Sequence, residues 1–311
     1  MKINAYIDKG VLSQMALQLN SSSTLQEKID SVKIIDIANF ITNCNEWYCD
    51  GISEFDSTTP ANEDLLTLLG KYGGFPAPIP NTTSFSDLVK NATPFGMHIL
   101  SSDSTIESSS LPSYSLNELI KVVKEKNHTY LPITSYNNAF KAFRSYSFPH
   151  KINSVIINDR YFFDSSSQIS VVSKLLRNYL DKTKKCNVVI TIFYTQHIDY
   201  QYDDLPRKIK EDLIWEFPNS FFTVEVVPIK HIDENHDRFL FTDFLCCHVG
   251  HSFTFLNSSH KVTTSLQRYM MIDTNNFRGN LKYLHEFLTG IIASNPDFTS
   301  KNKIINAFIK P

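Results

Sequence analysis

Three side chains in the last third of this 311-residue chain have the types and the spacing to act on a phosphate group: His236, Arg238 and Asp243. A histidine can attack or transfer a proton near neutral pH, an arginine fork matches phosphate oxygens, and a carboxylate can orient an imidazole. Residues two apart in a strand share a face, so we expect His236 and Arg238 to bind one anion together. Asp243 falls on the opposite face unless a bulge or turn intervenes. Phosphoryl chemistry is favoured over acyl transfer because no serine or cysteine elbow is present.

The elements that precede these residues predict the scaffold that positions them. Runs at 152–163, 188–194 and 221–229 are β-prone or continuously apolar, and helical patterns separate them. This alternation predicts an α/β fold with a largely parallel sheet and right-handed crossovers. Such folds place ligands outside the carboxyl ends of their strands, and the stretch 235–243 follows the third strand directly. A last amphipathic helix at 281–291 is expected to close the domain.

The first 145 residues show no such chemistry. Capping boxes at 24–27 and 115–118 predict two helices, and a third helix is expected at 62–69, ending before Gly70. We therefore expect a helix-rich accessory or partner-binding region at 1–145 and an α/β domain at 146–311. A protein partner is expected to bind through the first of these regions.

Composition excludes several classes of protein. The net charge of −2 gives no overall attraction to nucleic acid or anionic membranes, so any polyanion site must be local. The five cysteines form no CxxC pair, which favours a reducing compartment over a disulfide framework. The first ten residues lack the apolar region of a signal peptide, and no apolar run reaches the roughly 18 to 20 residues that a membrane span needs. A cytoplasmic protein without a membrane partner is expected.

The spacing His236-x-Arg238-x4-Asp243 resembles the HxKx4D signature of the phospholipase D superfamily, with arginine at the lysine position. Gly250 stands where that family's Gly-Ser-x-Asn segment begins, and the preceding α/β stretch is similar to one half of its fold. The resemblance implies a phosphodiesterase that needs no metal or cofactor and works through a phosphohistidine. It implies His236 as nucleophile or acid, Arg238 as phosphate clamp and Asp243 as the residue that orients histidine, with the strand turning between Arg238 and Asp243.

The same resemblance implies a partner and a substrate. The family's active site needs two such motifs and this chain has one, so a homodimer with the catalytic pair across a two-fold axis is implied. A nucleic acid, or another phosphodiester, is the expected substrate, and a nuclease is the expected activity. Nucleases of this kind are frequent effectors of bacterial anti-phage systems, which is an association at the level of the family.

The chain departs from the family pattern after Gly250, where it reads His251-Ser252-Phe253. Ser252 or Asn257 could supply the missing polar support for the substrate. The altered segment and the arginine at the lysine position favour a second hypothesis, a phosphate- or nucleotide-binding module of the same fold without catalysis.

Asp159 and Arg160, at the end of the first strand of the α/β domain, are expected to face the same crevice and bind substrate. The alternative is a turn that Asn158 and Asp159 stabilise.

Two further patterns allow other chemistry. Asp8 follows a short alternating strand predicted at 3–7, as in PIN-type metal nucleases. A solvated carboxylate at a strand end is the simpler interpretation because such sites need several clustered carboxylates. The cluster Cys246-Cys247-His248-x-x-His251 invites a zinc site. Adjacent residues of a strand point to opposite faces, so buried structural thiols are the better interpretation and no metal site is expected.

Overall fold

The protein is described from a computed structural model, in which the chain forms two compact units. The first comprises Met1–Asn127 with Ile272–Asn275, and the second comprises His128–Met271 with Asn276–Pro311. Within these units the structure describes residues 4–20, 24–44, 46–50, 52, 55, 59–72, 76, 87, 97–100, 113–125, 130–133, 152–163, 169–177, 179–180, 182–183, 185–195, 204–229, 238–243, 245–250, 252–253, 264–270 and 274–309.

The N-terminal unit contains a parallel sheet as well as helices. Its four strands lie in the order β2-β1-β3-β4, and every pair is parallel. The elements in chain order are β1 (Asn4–Asp8), α1 (Lys9–Asn20), α2 (Leu25–Asn43), β2 (Glu46–Asp50), α3 (Pro60–Tyr72), β3 (Met97–Leu100), β4 (Ser113–Tyr114) and α4 (Leu116–Glu125). The helix-rich region that was expected therefore also contains a sheet. Of its strands, the one before Asp8 was predicted, whereas β2, β3 and β4, with two to five residues, are too short to show a clear alternation.

A reciprocal side-chain cap fixes the start of α4 in this unit. The Ser115 N–H donates to Glu118 Oε2 at 2.8 Å, and the Glu118 N–H donates to Ser115 Oγ at 3.3 Å. This reciprocal pair is the predicted capping box, and α4 begins directly after Ser115. α2 likewise begins directly after Thr24. α3 continues past Gly70, where it was expected to end, and reaches Tyr72. Gly70 is exposed, and an exposed glycine weakens a helix without ending it.

The C-terminal unit is built on a mixed seven-stranded sheet with the order β5-β11-β10-β9-β6-β7-β8. Its elements in chain order are β5 (Tyr130–Ile133), β6 (Ser154–Asn158), α5 (Ile169–Leu176), β7 (Asn187–Thr195), α6 (Leu205–Glu216), β8 (Phe221–Ile229), β9 (Arg238–Thr242), β10 (Leu245–Val249), β11 (Thr264–Met270), α7 (Thr274–Ser294) and α8 (Lys303–Ile309). β5 pairs with β11, which is why this unit begins before the expected boundary at residue 145.

The predicted parallel core of this unit is confirmed. β6, β7 and β8 pair in parallel, with α5 and α6 in the connections, and β6 is buried along its whole length. This is an α/β fold. β9 then joins β6 antiparallel and β10 joins β9 antiparallel, which makes the sheet mixed.

This order of strand directions defines two ends of the sheet. At the first, the carboxyl ends of β6, β7 and β10 meet the amino end of β9, and Arg238 pairs with Val249. We call it the Arg238 end. At the second, the carboxyl end of β9 meets the amino end of β6, with Thr242 opposite Val155. We call it the Asp243 end.

Aromatic rings and one buried amide hold the helices on this sheet. Phe239 makes edge contacts with Tyr283 and Phe287 of α7, at centroid distances of 5.7 and 5.1 Å. Asn302, which is fully buried before α8, donates from Nδ2 to the Val155 carbonyl at 3.0 Å and to Thr191 Oγ1 at 3.2 Å. The C-terminal segment is therefore part of the core of this unit.

Each edge strand of the seven-stranded sheet contains one proline, Pro132 in β5 and Pro228 in β8. An edge strand tolerates proline because it pairs on one side alone. Among the described helices, none combines the length and apolarity that crossing a bilayer requires.

Candidate functional site

Strand β9 places Arg238 and Asp243 far apart. The strand runs without interruption over its five residues, Arg238–Thr242, and the reversal into β10 follows Asp243, where the Leu245 N–H donates to Thr242 Oγ1 at 3.1 Å. At about 3.3 Å per residue, the two residues are separated by roughly 16 Å. The turn that was expected between Arg238 and Asp243 is therefore not found.

The Asp243 carboxylate accepts hydrogen bonds from the backbone at the start of β6. It accepts from the Asn153 N–H at 2.7 Å and from the Ser154 N–H at 3.0 Å, and so ties the start of β6 to the β9–β10 hairpin. Burial raises the pKa of Asp243 to about 7, although the two N–H donors and the charge of Lys303 act in the opposite direction. This placement suits an internal tie of the sheet and not the orientation of an imidazole two residues before Arg238. His236 itself, like Asn257, lies outside the described residues.

A second buried carboxylate organises the Arg238 end. Asp159 Oδ2 accepts from Ser252 Oγ at 2.6 Å and from the Phe253 N–H at 2.7 Å, while Oδ1 lies 3.9 Å from Arg238 Nε. One carboxylate thus joins the residue after β6, the first residue of β9 and the segment after β10. These are positions 159, 238 and 252, which no short sequence window contains together.

Asp159 also stabilises a turn, as the alternative interpretation of the sequence predicted. Its Oδ1 accepts from the Tyr161 N–H at 3.0 Å and its carbonyl accepts from the Phe162 N–H at 3.1 Å. The side chain is fully buried, and burial raises the pKa of Asp159 against the lowering effect of Ser252, the two N–H donors and Arg238. The buried carboxylate contacts protein groups in this structure, and its role in binding substrate stays a prediction.

Two guanidinium groups lie against one aromatic ring at this end. Arg238 Cζ and Arg160 Cζ are each 5.4 Å from the centroid of the Tyr161 ring, a cation–π distance. The Arg238 side chain is 14% exposed, and its Nη1 donates to the Gly250 carbonyl at 3.4 Å. The two guanidinium carbons are therefore separated by at most twice their distance to the ring.

The structure therefore unites five of the predicted site residues and separates one from them. Arg238, Gly250, Ser252, Asp159 and Arg160 share the Arg238 end, and Asp243 lies at the other end of the sheet.

Two contributors, Tyr161 and Phe253, were not predicted from the sequence. Tyr161 could have been found, because an aromatic residue directly after Asp159-Arg160 at a strand end is suited to hold a guanidinium. Phe253 contributes its backbone N–H, which carries no signal in the sequence.

The alternative sites have simpler explanations. Asp8 Oδ1 accepts from the Val11 N–H at 2.8 Å and so caps α1, and Asp50 is its register partner on β2. Cys246 and Cys247 are both buried, and Cys247 Sγ lies 3.9 Å from Tyr179 Oη. Among the residues that the structure describes, no group of three or more histidine, cysteine, aspartate or glutamate side chains could hold a metal ion.

Comparison with known proteins adds little to this geometry. No protein-family model matches the chain, and no curated protein matches it. Among solved structures, the chain is similar to a polyphosphate kinase from Porphyromonas gingivalis, with a TM-score of 0.28 and 8% sequence identity. The match covers 47% of this chain and 21% of that chain. A TM-score this low does not establish a shared fold.

Proposed function

We propose that the C-terminal unit binds phosphate groups at its Arg238 end and hydrolyses phosphodiesters there, as a nuclease. The observation that supports this is the pair of guanidinium groups on the Tyr161 ring, one of which lies beside a buried carboxylate. Arginine forks fixed by stacking and by a buried acceptor are suited to recognise phosphate with little loss of side-chain freedom.

In the proposed reaction, a nitrogen of His236 attacks phosphorus, and the bond from phosphorus to the leaving oxygen breaks. A second histidine donates its proton to that oxygen. Water then attacks the phosphohistidine, the second histidine takes up the water's proton, and the phosphorus–nitrogen bond breaks to restore His236. Arg238 and Arg160 balance the charge that develops on the phosphate oxygens.

The second histidine comes from another copy of the chain, so the proposal includes a homodimer. The proposed reaction needs neither metal nor cofactor. The association with anti-phage defence belongs to the same proposal.

A binding module without catalysis is the second candidate, and one observation favours it. The carboxylate expected to orient His236 is bonded to the backbone of Asn153 and Ser154 at the opposite end of the sheet. Such a module keeps the two arginines and their support and lacks an activated histidine.

Binding is tested with fluorescently labelled single- and double-stranded DNA and RNA, titrated with the full chain at several salt concentrations. Arg238→Ala and Arg160→Ala should each weaken binding about ten-fold, the usual effect of removing one charge-assisted contact, and should reduce its salt dependence. The matched control is Arg207→Ala on α6, whose guanidinium pairs with Asp204 and Glu211 at the surface. An equal loss in the control variant would mean that binding depends on overall charge and would refute the site.

Catalysis is tested separately on the same substrates in the presence of EDTA. His236→Ala should lose hydrolysis about a thousand-fold or more while keeping the wild-type affinity, as expected for a nucleophile. Sedimentation of the active protein should show a dimer. Full activity in His236→Ala, or a wild type that cleaves only with added Mg²⁺ or Mn²⁺, would refute the nuclease mechanism. Binding without any hydrolysis by the wild type would establish the second candidate.

A further inference from the structure

A cavity of about 430 Å³ lies next to the Arg238 end, between the strands β10 and β11 and the helix α7. Its lining includes His248 of β10, Gln267 and Tyr269 of β11, and Asn280 and Tyr283 of α7. The volume is within the range of small-molecule sites in proteins. None of these residues belongs to the phosphate site described above.

Strand register explains why these side chains face one space. His248 pairs with Gln267 and Cys246 pairs with Tyr269, so His248, Gln267 and Tyr269 lie on one face of the β10–β11 pair. The His248 ring lies 5.7 Å from the Tyr283 ring of α7, which places α7 over that same face. Cys247, one position along the strand, points to the other face.

The lining combines aromatic faces with amide groups. The rings of Tyr269 and Tyr283 lie 6.3 and 5.7 Å from the His248 ring. Around them, Tyr269 Oη donates to Gln267 Oε1 at 3.1 Å, and His248 Nε2 lies 2.5 Å from Asn280 Oδ1. Amide groups offer both donors and acceptors, and aromatic rings offer stacking surfaces. An unpaired nucleobase is recognised by this combination, through stacking on its face and hydrogen bonds at its edge.

One residue joins the cavity to the proposed phosphate site. Gly250 lines the cavity, and its carbonyl accepts the Arg238 Nη1 bond. A ligand with an aromatic base in the cavity would therefore lie against the residue whose carbonyl contacts the Arg238 guanidinium.

We propose that this cavity binds an unpaired nucleobase whose phosphate contacts Arg238. The proposal deepens the proposed function, on which it rests, and names the substrate class as single-stranded nucleic acid. A base within a duplex is stacked and paired and is not available to the cavity.

The test compares the full chain's affinity for a labelled single-stranded oligonucleotide and for an abasic oligonucleotide of the same length. The wild type should bind the base-bearing strand about ten-fold or more tightly, a typical effect of one stacked base. Tyr269→Leu, and Gln267→Ala as a second variant that keeps the aromatic rings, should remove most of this preference and leave the abasic strand unaffected. The matched control is Trp215→Leu, which removes an aromatic ring that is 86% exposed on α6.

The outcomes separate this inference from the proposed function. Equal affinity for both strands, with Arg238→Ala still weakening both, would refute the base site and leave the phosphate site intact. No loss of affinity for either strand in Arg238→Ala would refute the phosphate site and this inference with it. Competition with uridine and adenosine monophosphate identifies the source of the base. If a monophosphate displaces the oligonucleotide at a concentration equal to that of the oligonucleotide, the cavity binds free nucleotides and the assignment to nucleic acid is overturned. If displacement needs a higher concentration of monophosphate, the assignment to nucleic acid is supported.

Discussion

The two ends of strand β9 each lie beside a buried carboxylate, and the two carboxylates differ in what they hold. Asp243 accepts from two backbone N–H groups at the start of β6, so its partners belong to the sheet itself. Asp159 accepts from a serine hydroxyl and from the Tyr161 and Phe253 N–H groups outside the strands, and it lies beside Arg238. Asp243 therefore stabilises the sheet, and Asp159 holds together the groups at the Arg238 end.

This difference changes how the spacing of His236, Arg238 and Asp243 is understood. A carboxylate at a fixed interval after a histidine and a cation need not belong to the same site, because a strand carries it away from them at about 3.3 Å per residue. The carboxylate that serves the Arg238 end comes from another strand, at position 159. Three predictions test the contrast between the two ends.

The largest effect is expected from Asp243→Ala. The substitution leaves the Asn153 and Ser154 N–H groups buried without their acceptor, at a cost of about 1 to 3 kcal/mol each. We expect a loss of about 2 to 5 kcal/mol in the free energy of unfolding of the C-terminal unit, measured by urea denaturation. Asp204→Ala, at an exposed carboxylate, should change it by less than about 0.5 kcal/mol. A similar small loss in Asp243→Ala would show that the tie between the hairpin and β6 is unimportant.

A smaller effect is expected from pH, again at the Asp243 end. Burial raises the pKa of Asp243 to about 7, whereas an unfolded aspartate titrates near 3.9. The folded unit therefore binds a proton that the unfolded chain has released, and stability rises as the pH falls from about 7 towards 4. Between pH 7.5 and 5.5, the wild type should gain about 2 kcal/mol relative to Asp243→Asn, which cannot titrate there. A constant difference between the two proteins over this range would show that the carboxylate stays ionised in the fold.

The smallest effect on stability is expected at the Arg238 end, from Ser252→Ala. It removes the hydroxyl that donates to Asp159 while the Tyr161 and Phe253 N–H groups still donate, so we expect a loss of about 1 to 2 kcal/mol. Phosphate affinity should nevertheless fall a few-fold, whereas Asp243→Asn should leave it unchanged.

Ser173→Ala is the control for this prediction, because Ser173 is a buried serine whose hydroxyl bonds within α5. If Ser252→Ala and Ser173→Ala both left phosphate affinity intact, Asp159 would have no role in positioning the Arg238 end.

The sequence predicted the parts of the fold that carry long apolar runs. Residues 188–194 and 221–229 are continuous enough to identify β7 and β8 and the parallel pairing between them. The strands β3 and β4, with four and two residues, leave no such pattern, and the N-terminal sheet was missed for that reason.

For the site, the residue types identified side chains that do lie together, whereas the spacing of Arg238 and Asp243 did not predict their geometry. Arg238, Ser252 and Asp159 were each singled out for their chemistry, and they do meet. The role of Asp243 could not be predicted, because its partner Asn153 lies 90 residues away and contributes a backbone N–H that every residue except proline has.

The prolines in β5 and β8 bear on how two copies could assemble. Joining the sheets of two molecules side by side requires a continuous row of backbone donors on an edge strand, and each edge strand here contains a residue that cannot donate. For the proposed catalytic dimer, these prolines favour contact across the Arg238 ends over the joining of two sheets into one. The same interruption protects the protein from open-ended strand-by-strand aggregation at high concentration.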